Sequence, residues 1–430
     1  MRKEKGIDVD VGGGGGSGSG MGMLLVLFPQ DSHKSKFTFP TPSKSLLSKA
    51  QSTISICALL LFTTLLLFTL STLPTPTHTP THTFSHPHPP PHALQRMGTL
   101  HRRGTKSMPD LIICHVPEET PLHHFRLFLR LLHRSSLTAS SDVVFLFPSP
   151  SHTPKFSPII RQENQAFSSL LHLHAHLNST RWLQHPKSTF HPNRFHSKTP
   201  PQQQQQPLWG TKTKTRTQLN STNSFTYGSV LSFDATELDP ENSLAGFLDR
   251  VPLSLRRWAC YPMLLGRVRR NFKHLMLVDV KNILILKDPL APLRNRTPDS
   301  VLLFNKPDKH AKRAHLLSTL VIGGARGVRR LSAALLVEIV RAATQHRKRK
   351  NAVSESAVLS QLVAGSQFLL KNRNVNLIVS TESIPEAAAS STSFSDSAML
   401  QRGVSNHDLN HVIMTQICSS LLDSSVYTDC

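Results

Sequence analysis

The run Ile54 to Leu70, ISICALLLFTTLLLFTL, constrains this chain more than any other stretch. It carries no charge, and the uncharged segment continues to Leu73. That is about the ~20 residues a helix needs to cross the hydrocarbon core of a bilayer. A buried core helix would show a polar face, whereas this one offers only Thr, Ser and Cys. More than 50 residues precede it, which is late for a cleaved signal peptide of ~15–30 residues. The expectation is one membrane anchor over 54–73, behind a disordered cytosolic tail over 1–53 that includes GGGGGSGSG.

The flanking charges set an orientation. Lys34, Lys36, Lys44 and Lys49 precede the run, and no Lys or Arg follows it until Arg96. The positive-inside rule then puts the C-terminal part in a lumen, a type II topology in the Golgi or another endomembrane. Three Asn-X-Ser/Thr acceptors, at Asn178, Asn220 and Asn295, fall on that side. So do Cys114, Cys260, Cys418 and Cys430, which form up to two disulfides in an oxidising compartment or remain buried thiols.

Residues 74–107 read as a Pro-, His- and Thr-rich stem, since closely spaced prolines forbid a helix. Its histidines, from His78 to His92, are polar filler or a loose metal site. The lumenal domain is expected over 108–430. Its strand candidates are Leu111–Val116, Val143–Pro148, Gly228–Asp234 and Val301–Lys306, with His274–Leu290 read as a hydrophobic strand, a polar interruption at Asp279–Asn282 and a second apolar run. Helical spacing marks His123–Arg134, Ser254–Lys273 (kinked at Pro262) and Leu331–His346. A strand–helix–strand beginning points to an α/β domain with a mostly parallel sheet. A low-complexity insertion is expected at about 149–224, where QQQQQ and TKTKTRT occur. Within it, His172, His174 and His176 share a face if extended, as zinc ligands would; as a helix they are exposed.

The formal net charge is +23, yet no nucleic-acid-reading motif or aromatic interleaving accompanies it, and a lumenal domain does not meet nucleic acid. Sugar-nucleotide diphosphates, polyuronates and anionic lipid headgroups are the acidic partners that fit.

An acid at a strand end is the strongest chemical signal. Ligands of open α/β sheets bind beyond the carboxyl ends of the strands. Asp279 follows Leu275-Met276-Leu277-Val278 directly, either as a ligand-binding group or as the cap of the next turn. The block YPMLLGRVRRNFKHLMLVDVKNILILKDPLAPL, Tyr261 to Leu293, resembles the nucleotide-sugar-binding core of GT-A glycosyltransferases, most of all the glycogenin and galacturonosyltransferase-like group. A wider block starting at RRWACYPMLL is similar to that of a plant family of type II membrane proteins. The resemblance implies a GT-A-like, mostly parallel mixed sheet flanked by helices. It implies a nucleotide-sugar donor, a glycan acceptor, and an Asp-X-Asp motif that binds a divalent ion.

Here that motif reads Asp279-Val280-Lys281, and a lysine does not ligate a metal at neutral pH. Three readings stay open. In the first, catalysis is metal-independent: Lys281, with Arg267, Arg269, Arg270 or Lys273, meets the diphosphate, while Asp279 binds hydroxyls. In the second, Asp279 and Asn282 hold a weak ion with Asp288 nearby. In the third, the domain is a non-catalytic scaffold or binding module. Asp234, Asp279, Asp288 and Glu355 are the candidate bases by position.

Overall fold

The computed structural model describes residues 56, 58–66, 92–94, 97–179, 190, 192–196, 225–268, 271–305, 316–345, 352–365, 374–380, 383–385, 397–403 and 409–430. The chain divides into two units, residues 1–86 and 87–430. In the first, residues 58–66 are helical and exposed. Among the described residues no helix is long and apolar enough to cross a membrane. The expected tail, both ends of the expected anchor and stem residues 74–91 lie outside the described residues.

The second unit is a mixed α/β fold around a nine-stranded sheet. Its strands are β1 (His92–Leu94), β2 (Met97–Arg102), β3 (Asp110–His115), β4 (Ser141–Phe147), β5 (Val230–Asp234), β6 (His274–Asp279), β8 (Ser300–Leu303), β9 (Leu320–Gly324) and β10 (Asn376–Val379). They lie in the order β1-β2-β5-β4-β3-β6-β9-β8-β10. A separate ribbon pairs β7 (Ile283–Ile285) with β11 (Met399–Gln401). The central strands β5, β4, β3 and β6 run parallel, and β9 lies antiparallel to both its neighbours. β3, β4 and β6 are buried at every position. Strands covered on both faces read as continuous apolar runs rather than alternations, which is why these were conspicuous in the sequence.

Alternation survives in where each residue points. Leu275 and Leu277 of β6 join one apolar cluster, and Met276 and Val278 join the other. The first cluster packs against α4 (Arg257–Arg267), α5 (Ala325–Gln345) and α6 (Glu355–Gly365). The second packs against α1 (Leu122–Arg134) and the start of α2 (His152–Ser179). The remaining helices are α3 (Ala235–Leu238), α7 (Leu409–Cys418) and α8 (Leu421–Val426). Each fully buried Leu, Met or Val in these layers stabilises the fold by about 1.5–3 kcal/mol.

Three sequence expectations change. Residues 92–94 and 97–102, assigned to the stem, pair as β1 and β2 at one side of the sheet. The Pro repeats end at Pro91, and the following stretch is free to donate ladder hydrogen bonds. Within the expected insertion, residues 152–179 form α2, because Phe156, Ile160, Phe167, Leu170 and Leu171 bury one helical stripe. Its histidines do not converge: His174 is buried against Phe190, and His172 meets Phe225 edge-on. The glutamine run and Asn220 lie outside the described residues. Finally, the basic segment 254–273 is helical only at its start, a 3-10 turn over Leu253–Arg256 leading into the α-helix Arg257–Arg267; Val268 is already extended.

The C-terminal segment is tied down twice. Cys418 and Cys430 form a disulfide, whereas Cys114 and Cys260 are buried free thiols. Arg130 of α1 joins Glu163 of α2 (2.6 Å) to Asp429 (2.8 Å), and Arg134 pairs with the buried Asp423.

Candidate functional site at the strand-order reversal

From β3 the chain steps outward to β4 and then β5. It returns with β6 on the other side of β3. This reversal opens a crevice at the carboxyl ends of β3 and β6, where open α/β sheets place their ligands. The two strands are in register, so His115 and Asp279, their last residues, lie side by side. A cavity of about 450 Å³ opens there, within the size range of small-molecule sites.

Asp279 is 4% exposed, so its carboxylate needs partners. Its Oδ1 accepts from the backbone N–H of Lys281 (3.0 Å), the backbone N–H of Asn282 (3.2 Å) and Asn282 Nδ2 (3.0 Å). These bonds close the turn between β6 and β7. Its Oδ2 accepts from Arg257 Nη1 at 3.0 Å. Burial works against ionisation of this carboxyl. The guanidinium of Arg257 outweighs it and holds the carboxyl below the usual carboxylate range, with the His115 ring 3.6 Å away.

Arg257 is the hub. It opens α4, whose buried Trp258, Tyr261, Leu264 and Leu265 press the helix onto the sheet. A cation at a helix N-terminus opposes the helix dipole, and two acids compensate for it. Arg257 Nη2 binds both carboxylate oxygens of Glu355, at the start of α6, at 2.7 Å each. Trp258 Nε1 also donates to Glu355. Burial opposes the charge on Arg257, but Glu355, Tyr261 and Asp279 more than offset it, so its pKa is raised and the cation is permanent. Arg257 Nη1 lies 2.8 Å from His115 Nδ1. A guanidinium only donates, so Nδ1 is the acceptor and the neutral ring carries its proton on Nε2. Burial, and then the charge of Arg257, push the His115 pKa down in keeping with that neutral form.

Lys281 is the exposed part of the site. Its ammonium meets Glu119 at 2.6 Å, with both side chains in solvent at 39% and 77% exposure. Thr319, beside Asp279 on the cavity wall, keeps a buried Oγ1 without a hydrogen-bond partner.

The other sequence candidates separate from this group. Asp288 caps the turn at Leu290 and pairs with Arg294 at 2.6 Å, outside the cavity. Arg267, at the far end of α4, donates to the Glu237 carbonyl. Arg269 and Arg270 lie outside the described residues. Lys273 precedes β6, at the opposite end of the sheet. Asp234 caps α3 in a reciprocal box with Glu237, next to the cavity-lining Ala235. Glu355 reaches the cavity but is held by Arg257 and Trp258. Of the sequon asparagines, Asn295 is exposed in the turn before β8.

Sequence reasoning passed over His115, Glu119 and Arg257. The available signal was a histidine ending an otherwise apolar strand, and an arginine next to the apolar stripe of α4.

The chain belongs to the family defined as Domain of unknown function (DUF7780), whose profile matches residues 91–383. That span begins at the sheet edge and ends beyond β10. No curated protein matches the chain.

Proposed function

We propose that this domain binds a nucleoside diphosphate sugar in the crevice between β3 and β6 and transfers its glycosyl group without a divalent ion. One observation carries this reading: Lys281, two positions after the strand-end Asp279, stands at the mouth of a small-molecule-sized cavity at the strand-order reversal. The likeness of Tyr261–Leu293 to GT-A glycosyltransferases names the ligand class. The GT-A-like reading of the sheet rests on that same likeness.

The residues present do not fit a metal. Asp279 already accepts four hydrogen bonds, one of them from a fixed cation, and Asn282 spends its amide on the same carboxylate. Arg257 supplies the buried positive charge at this point. In the proposed mechanism the diphosphate displaces Glu119 from Lys281. The ammonium then stabilises the charge that develops on the leaving nucleoside diphosphate through a charge-assisted hydrogen bond. Thr319 Oγ1 and His115 Nε2–H are the groups on the same wall that can hydrogen-bond donor hydroxyls.

A second reading has its own support. Asp279 and Glu355 are both engaged by Arg257, so neither is a free base. A domain that binds the donor and transfers nothing fits that saturation. Release of nucleoside diphosphate from a panel of nucleotide sugars, measured on the full chain in detergent, separates the two. Release that is lost in Lys281→Ala supports transfer. Binding without release supports the non-catalytic module, and no binding overturns both.

The placement we propose is a type II membrane protein of the Golgi or another endomembrane. The uncharged run at 54–73, the lysines before it and the accessible Asn295 sequon support it. So does the Cys418–Cys430 disulfide, which suits an oxidising lumen.

A further inference from the structure

β11 ends at Gln401, and the next residue, Arg402, joins two parts of the fold. Its backbone N–H donates to the carbonyl of Asn282 (2.8 Å), in the turn that Asp279 closes. Its Nη1 donates to Oδ1 of the buried Asn410, in the first turn of α7. The other two guanidinium nitrogens, Nε and Nη2, are buried and have no hydrogen-bond partner. Among the described residues no carboxylate pairs with Arg402.

Buried N–H donors are normally paired, and a buried cation without a counter-charge is destabilising. Burial lowers the pKa of Arg402 to about 10, which leaves it charged at neutral pH. The start of α7 adds to the imbalance. A helix N-terminus is the positive end of its dipole, and α7 carries no acid in its first turn. Two other arginines of this protein show the usual solution. Arg257 also lies at a helix start, where Asp279 and Glu355 hold it. Arg130 donates from Nε and Nη2 to the two oxygens of Glu163, at 3.0 and 2.6 Å. This is the edge of a guanidinium that takes an oxyanion through two parallel bonds. In Arg402 it is the same edge, Nε with Nη2, that lacks a partner.

We propose that the Nε–Nη2 edge of Arg402, beside Asn410 at the start of α7, is a binding site for one small oxyanion, a phosphate or a carboxylate. Arg402 is only half-buried, which leaves a route for a small ion. An oxyanion held there ties β11 to α7 next to Asn282 and steadies the turn that presents Lys281. That consequence rests on the proposed donor site; the oxyanion binding itself does not.

The test follows the melting temperature of the full chain in detergent, starting in a chloride buffer free of oxyanions. Inorganic phosphate, and separately acetate, then replaces chloride at constant ionic strength. The expected result is a saturable rise with at least one of the two ions. Arg402→Lys keeps the charge without the fork and is expected to need at least tenfold more of that ion. Arg402→Met is expected to show no saturable rise. In the oxyanion-free buffer Arg402→Met is expected to melt no lower than the parent chain, which also verifies that it folds. A rise with phosphate alone assigns a tetrahedral oxyanion, and a rise with acetate alone assigns a carboxylate. No rise with either ion, or the same rise in Arg402→Met, overturns the proposal. So does a lower melting temperature of both Arg402→Met and Asp408→Asn in the oxyanion-free buffer, because the chain's own Asp408, outside the described residues, is then the partner.

Discussion

Arg257 and Asp279 stand 22 residues apart and meet at 3.0 Å, one at the start of a helix and the other at the end of a strand. Both side chains are about 95% buried. A buried pair of this kind owes its stability to mutual satisfaction. Removing one partner strands the other, at a cost of about 3–5 kcal/mol. Arg257 holds Glu355 as well, so Arg257→Met is expected to destabilise the second unit at or above that range. Arg257→Lys cannot span both carboxylates and is expected to recover only part of the loss. Urea denaturation of the two variants measures this, and a near-neutral Arg257→Met would contradict the role of hub.

Acid is expected to weaken the same cluster in two windows. The folded-state pKa of His115 is depressed, so the unfolded chain binds its proton more readily. The stability this group contributes is present above the unfolded pKa of ~6.5 and is lost as pH falls below it. Asp279 is also depressed, and its contribution fades as pH falls from the unfolded ~3.9 towards the folded value. His115→Gln is expected to flatten the upper window and Asp279→Asn the lower one. Melting temperatures across pH 3–8 check both; an unchanged profile in either variant would count against the assignment.

Lys281 and Glu119 form an exposed pair, worth about 0–1 kcal/mol to stability. Their effect on ligand binding is expected to be larger and of opposite sign. Glu119→Ala frees the ammonium and raises affinity for a nucleoside diphosphate; Lys281→Ala lowers it about tenfold or more. Equal affinities across the three chains would remove Lys281 from the site.

The Cys418–Cys430 bridge closes a short loop, 12 residues apart in sequence, at the end of the chain. By loop entropy it contributes about 2–3 kcal/mol to the docking of α7 and α8. Replacing both cysteines by serine is expected to make residues 409–430 the first site of limited proteolysis. Under native, non-reducing conditions none of Cys114, Cys260, Cys418 and Cys430 is expected to react quickly with an alkylating agent. Two are bonded, and burial pushes the thiols of Cys114 and Cys260 up, the second to about 12. Rapid native labelling would disagree.

The parallel core of this fold was legible because β3, β4 and β6 are buried on both faces and write themselves as unbroken apolar runs. The amphipathic α1 was legible from its Leu and Phe spacing. Three elements were not. α2 contains Pro158 and the LLHLHAHL alternation, so a strand-like period masked a helix that long-range packing selects. β1, the edge strand, and β2 beside it follow directly on the proline-rich repeats, whose composition masked them. The site divides along the same line. Asp279 announces itself locally, as an acid after four apolar residues. Its partners come from β3, α4 and α6, and Glu355 lies 98 residues from Arg257; no local pattern records that convergence.

The most direct test of the site is a titration of the full chain with uridine and guanosine diphosphates, run once with a chelator and once with manganese. Saturable binding of at least one of them, equally tight in both conditions and weakened about tenfold or more by Lys281→Ala, is the expected result. Binding that requires manganese, or no binding of either nucleotide, would contradict a metal-free diphosphate site at the end of β6.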